Sequence, residues 1–192
     1  MLVSNFELLV KPQLPKFLLN TPEPSPEIQK LIQLSRTVIQ GYFLTLANSN
    51  LDPVLVSLVF TSVKPSIDIE GTVIFLDVDG KEAPEKLTAE KGSNKAGYSF
   101  EIPADDTVLF ILQPDFVTNP TLLDESNYEV RGYVEIFISK LSKRKESVSL
   151  LVTPEHRGTF FKDLGPDVAD SQLDQIVYSL PTATGSSLFQ LS

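Results

Sequence analysis

The chain has 192 residues, 42% of them hydrophobic and 21% charged, with 16 Lys and Arg against 25 Asp and Glu. That length supports one sizeable core, and this balance of apolar to charged residues excludes an intrinsically disordered chain. A formal charge of −9 repels a phosphate backbone, so no nucleic-acid partner is expected, and the lack of cysteine removes disulfides, thiolate nucleophiles and Cys-ligated metals.

Residues 1–26 carry Pro12, Pro15, Pro22, Pro24 and Pro26. Each proline fixes φ and removes a backbone donor, which predicts an extended, proline-rich N-terminal arm. Within it "NFELLV", 5–10, has enough β character to lie along a sheet edge. Ser25 as N-cap, Pro26 at the first helical position and Glu27 in the first turn predict one or two helical turns. From Leu34 a period of two takes over. Val38, Tyr42, Leu44 and Leu46 alternate with Thr37, Ile39, Phe43 and Thr45, and apolar groups on both faces predict a central strand. The turn residues of "ANSNLDP" follow, and "VLVSLVFTS", 54–62, is read as the returning strand of a hairpin.

Ile67 to Val78 is rich in β-branched residues and stops at Asp79-Gly80, a strong turn signal. Strands are expected at 97–102 and 107–112, on either side of "PADD". The cleanest alternation is "YEVRGYVEIFIS": Tyr128, Val130, Val134, Ile136 and Ile138 point to the core, while Glu129, Arg131, Tyr133, Glu135, Phe137 and Ser139 point to water. The basic run "KLSKRKE", 140–146, reads as a solvated hairpin loop, after which Val148, Leu150 and Val152 return to the same core face. "SQLDQIVYSLP" has helical spacing behind Ser171 but β composition, and is read as strand. The final "SSLFQLS" is read as an edge strand.

Eight or nine strands with no long helix predict an all-β fold: an antiparallel two-sheet β-sandwich spanning 1–192 as a single domain, with 1–26 as an arm packed on it. The rhythm resembles immunoglobulin-like or jelly-roll sandwiches at the level of architecture, and the Cys and Trp markers of immunoglobulin domains are missing. Apolar runs such as "VLVSLVF" fall far short of the roughly 20 residues that span a bilayer. No basic segment followed by an apolar one opens the chain. A soluble, cytoplasmic protein without membrane insertion is therefore expected; a secreted form with its signal removed would read the same.

The only histidine, His156, lies in "LLVTPEHRGTFF" between Glu155 and Arg157. Pro154 and Gly158 predict a tight turn there, with Gly158 at positive φ and the His156–Arg157 pair exposed. No "GxSxG" elbow accompanies the histidine, and no "GxxxxGK" or "GxGxxG" loop is present, so neither a catalytic residue nor a nucleotide cofactor is expected. In "DVDGKE", setting Gly80 at the sixth place of an EF-hand loop puts Phe75 first and Lys86 twelfth, which favours a hairpin turn over a calcium loop. Asp105, Asp106, Asp163, Asp167 and Asp170 read as solvated turn formers, with a cation-dependent adhesion domain as the minor alternative. No metal site is expected.

These signals point to a non-enzymatic structural or protein-interaction module, associating with a protein partner or with itself. Its expected interaction surface comprises Tyr133, Phe137, His156 and Arg157. The alternative is a ligand-binding or hydrolytic sandwich with a site around His156 and Arg157. Carbohydrate binding belongs to that alternative, with Tyr133 beside Phe137 as the aromatic platform.

Overall fold

The recurring alternation of apolar and polar residues becomes strand in the computed structural model, with 58% strand against 10% helix. It describes residues 1–62, 68, 70–78, 83–89, 92–139, 147–162 and 173–192. The elements in chain order are β1 (Leu2–Pro12), α1 (Lys16–Leu19), α2 (Pro26–Leu34), β2 (Thr37–Asn48), β3 (Val54–Ser62), β4 (Thr72–Asp77), β5 (Pro84–Glu85), β6 (Lys95–Ile102), β7 (Asp106–Pro114), α3 (Thr121–Glu125), β8 (Tyr128–Ile138), β9 (Val148–Phe161), β10 (Asp174–Ser179) and β11 (Leu188–Leu191). The Asp79-Gly80 turn, the basic loop 140–146, Asp163, Asp167, Asp170 and Ser171 lie outside the described residues.

All pairings between these strands are antiparallel, and one hydrogen-bonded sheet runs β5-β4-β7-β2-β1-β8-β3-β6, with β9 also on β2 and carrying β10 and β11. The sheet curls into a half-barrel. Where two separate sheets were expected, Leu9–Pro12 of β1 pair with Thr37–Gln40 of β2 and keep hydrogen bonding continuous. The expected arm is also different. Its first eleven residues contain no proline, Phe6, Leu8 and Val10 are buried, and β1 lies inside the sheet between β2 and β8 instead of along an edge. Proline begins at Pro12, where the strand ends.

The hairpin expected from β2 and β3 does not form. β2 bonds to β1, β7 and β9, whereas β3 bonds to β6 and β8. Likewise β9 returns to β2 instead of β8. Alternation identifies the buried face of a strand but is indifferent to which neighbour takes its edges. Here the curl brings Phe60 of β3 over the core face of β2 and β7, with ring centroids 6.1 Å from Tyr42, 5.6 Å from Phe110 and 5.3 Å from Phe6 of β1. Rings at these separations attract one another beyond their apolar burial, and burying each such side chain contributes about 1.5–3 kcal/mol.

Other expectations match. β2 is central, Tyr128, Val130, Val134 and Ile136 are buried, 174–179 is strand, and among the described residues β11 pairs only with β9. Ser139, expected to face water, is buried instead just past the end of β8, its N–H bonded to the Leu55 carbonyl at 2.9 Å. Ser25 caps α2 by accepting the Ile28 N–H, Pro26 opens it, and none of its nine residues is buried. No described helix is long and apolar enough to cross a membrane. One charge pair with a buried carboxylate and an exposed lysine went unread: Lys86 donates to the Asp115 carboxylate at 2.7 Å and to the Thr72 carbonyl at 2.7 Å, tying the turn after β7 to β4. Burial alone pushes the Asp115 carboxyl up, but hydrogen bonds from Lys86 and Thr118 outweigh it and hold the group below the usual carboxylate range.

Gly132 marks the tightest strand contact. It is the register partner of Phe6 on one side and Ser62 on the other, and a Cβ at this position would lie 1.9 Å from the Thr61 carbonyl oxygen. Gly132→Ala is expected to lower the unfolding free energy in urea by about 3 kcal/mol, because the obstacle is backbone and cannot rotate away. Gly97→Ala, whose nearest neighbour would be the Leu58 carbonyl oxygen at 3.5 Å, serves as the mild control. Equal midpoints for the two variants would refute this close approach of β8 to β3.

Candidate functional site

The site begins with a fork in the sheet. β9 runs along one edge of β2 from Thr37 to Asn48. The other edge is shared: β1 holds Thr37–Gln40, and β7 takes over from Tyr42 to Asn48. Gly41 stands at the division, where a Cβ would meet the Gln113 Cβ and a Phe43 ring carbon at 3.2 Å each. As β1 leaves β2, the backbone groups on its departing edge lose their strand partner, and buried peptide groups must be paired in some other way.

Side chains supply the pairing. The Glu7 N–H donates to Nε2 of His156 at 3.0 Å, and Gln40 Nε2 donates to the Glu7 carbonyl at 3.4 Å. The Ala183 N–H reaches the Val3 carbonyl at 2.7 Å. Because Nε2 accepts, the hydrogen-bond pattern assigns the imidazole proton to Nδ1, which faces the Tyr178 hydroxyl at 3.2 Å. Tyr178 donates onward to Oε1 of Gln40 at 3.0 Å, and Gln40 donates to the Glu7 carboxylate at 3.2 Å. His156, Tyr178, Gln40 and Glu7 thus close a directed ring of hydrogen bonds drawn from β9, β10, β2 and β1. The His156 ring also meets Tyr178 and Tyr42 edge to face, at 5.5 and 6.2 Å. Burial raises the Tyr178 pKa, and the charge of Glu7 raises it further.

This geometry corrects the reading of "PEHRG" as an exposed turn. The segment lies inside β9, Gly158 has no left-handed φ, and His156 is only 4% exposed. Pro154 is tolerated because it falls between β10, which pairs with Glu155–Phe160, and β11, which pairs with Val148–Leu151. A residue's N–H and C=O leave a strand on the same side. The Pro154 carbonyl accepts the Leu180 N–H in that gap, so the missing proline donor faces no strand acceptor.

The four sequence-derived candidates do not form one surface. His156 faces inward, and Arg157, one residue later, faces out on the opposite side of the sheet. There its guanidinium stacks over Phe43, 4.5 Å from the ring centroid, and both Nε and Nη2 donate to Glu155. Beside it lies a hollow of about 390 Å³ lined by Gly41, Phe43, Gln113, Phe116 and Val177. Tyr133 and Phe137 do share a face, the outer side of β8. Both ring nitrogens of His156 are engaged, and the nearest hydroxyl, Tyr178, has its pKa raised, so the arrangement offers neither an unengaged base nor an activated nucleophile. Among the described residues no group of three or more His, Asp or Glu is placed to hold a metal ion.

Comparison with protein-family models, with curated proteins and with solved structures finds no match to this chain.

Glu7, Gln40 and Tyr178 escaped the sequence reading because up to 149 residues separate them from their partners. One signal was available. The alternation of Val148, Leu150 and Val152 continues in step through Pro154, and following it places His156 on the inner face.

Burial lowers the His156 pKa, with the Glu7 charge working against that shift. The folded state therefore favours the neutral ring, while the unfolded chain takes up a proton near the ordinary histidine value. The stability from this site is complete above that value and is lost as pH falls through it. Protonation would also set an Nε2–H donor against the Glu7 N–H donor. His156→Gln keeps an acceptor and a donor but does not titrate. Between about pH 7.5 and 5.5, the urea midpoint of the parent is expected to fall more steeply than that of His156→Gln. Parallel profiles would show that the imidazole does not carry this dependence.

Proposed function

We propose that the protein is a non-enzymatic interaction module that joins a second copy of itself along the open edge of β10. The observation that carries this reading is the strand itself: all six residues of Asp174–Ser179 are exposed, and among the described residues β10 pairs only with β9. A sheet edge left in this state presents a row of N–H and C=O groups to any strand of suitable register, and folded proteins commonly blunt such edges with charge, proline or a bulge. The central pair here is apolar instead, with Ile176 46% and Val177 58% exposed.

The edge is also held in place. Tyr178 is anchored by Gln40 and His156 near one end, and Asp174 pairs with Arg36 at the other. Antiparallel pairing of two copies about the Ile176–Val177 centre sets Asp174 against Ser179 and Gln175 against Tyr178, so no carboxylate faces another. The contact is isologous and closes on itself as a two-fold dimer. The engaged nitrogens of His156 and its separation from Arg157 favour this reading over the hydrolytic alternative. We also read the half-barrel as a sandwich whose layers remain joined where β1 meets β2, a description supported by the contacts of Phe60 with Tyr42 and Phe110.

With a formal charge of −9 on each copy, long-range repulsion opposes pairing and is screened by salt. Sedimentation equilibrium is expected to show a dimer that tightens as ionic strength rises. Ile176→Lys, facing Gly158 and no cation across the ladder, is expected to give a monomer while changing stability by less than about 1 kcal/mol. A parent chain that sediments as a monomer at every salt and protein concentration would sink the proposal.

A further inference from the structure

The outer face of β1, β8 and β3 has chemistry of its own and borders the segment Pro181–Ala183 that follows β10. Tyr133 and Phe137 stand on it, 37% and 41% exposed and four residues apart on one strand, a rise of about 13 Å. Each ring has a neutral hydrogen-bonding group as its cross-strand neighbour: Asn5 opposite Tyr133, and Ser57, bonded to Ser99 at 2.7 Å, opposite Phe137. Two cations and two carboxylates nearby are tied together, Arg131 to Glu7 and Glu129 and Lys11 to Glu129, and Glu135 adds one further carboxylate between the rings.

Relief adds to this pattern. Two hollows, about 380 and 590 Å³, adjoin Tyr133 and share it with Asn5; the first is walled by Leu2, Pro181 and Ala183, the second by Glu7 and Arg131. Glu135 stands between the two aromatic positions on the same face of the strand, so the face has no continuous apolar centre of the kind that anchors a protein partner. Rings, neutral donors, tied charges and one carboxylate acceptor instead suit a chain that is itself amphiphilic at each unit and carries no negative charge.

We infer that this face binds a neutral polysaccharide chain, whose sugar rings lay their C–H faces on Tyr133 and Phe137 while Asn5, Ser57 and the Glu7–Arg131 pair take the hydroxyls. The tied charges orient hydroxyl groups through paired donors and acceptors, and the additional carboxylate of Glu135 accepts hydroxyls while repelling a carboxylated or sulfated glycan.

The test is retention of the full chain on insoluble cellulose, chitin and starch granules, with cellohexaose, chitohexaose and maltohexaose as soluble competitors. Retention on at least one of the three, released by its own hexasaccharide, is the expected result. Tyr133→Ala and Phe137→Ala should each weaken it roughly tenfold, and Asn5→Ala, at an exposed position, should weaken it in a protein whose melting temperature is unchanged. Ile176→Lys should bind as the parent does, which keeps this result independent of self-association. No retention on any of the three overturns the inference, as does retention that survives loss of both rings. A double aromatic variant that changes oligomeric state without any glycan binding also overturns it, and assigns the face to a second copy.

Discussion

Peptide groups freed inside a fold must be paired again, and this requirement organises the region where β1 and β7 part along one edge of β2. A closed β-barrel has no such place, because every strand keeps both neighbours. In a half-barrel that forks, the departing strand exposes a stretch of edge next to the core. Gln40 reaches the Glu7 peptide from β2 and His156 from β9 beyond it, while the segment after β10 reaches Val3. The ring of hydrogen bonds closed by Tyr178 and the Glu7 side chain gives each polar group in it a defined donor or acceptor role. A low-dielectric setting strengthens such a ring when it is complete and penalises it when one member is missing.

The same ring connects the interior to the surface. Tyr178 belongs to the exposed strand β10, yet its hydroxyl lies between His156 and Gln40. The edge proposed to pair with a second copy is therefore positioned by buried chemistry and not by its own packing, since none of its six residues is buried. Period-two geometry further divides the labour. His156 and Arg157 are neighbours in sequence and occupy opposite faces, so one seals the fork while the other, stacked on Phe43, shapes the outer surface. Tyr133 and Phe137 sit on a third surface, the outer side of β8. The molecule thus offers an edge and two outer faces, each with a distinct balance of apolar and polar groups.

Local chemistry determined a good deal by itself. Alternation along 128–138 identified the buried and exposed faces of β8, because a strand's side chains must leave in alternate directions wherever it lies. It failed at Ser139, past the strand end, which is buried. The Ser25–Pro26 start of α2 and the strand character of 174–179 were likewise legible, since caps and β-branched composition act over a few residues. Tertiary structure alone decided which strands are neighbours. β2 has good turn residues between it and β3, yet the curl carries β3 across the core to Tyr42 and Phe110. Tertiary context also kept Pro154 and Gly158 within β9, by leaving a gap between β10 and β11 where no proline donor is needed. The role of His156 followed from that placement. Its partners Glu7, Gln40 and Tyr178 come from three other strands, and hydrogen bonds between residues so far apart in the chain leave no periodic trace in the sequence.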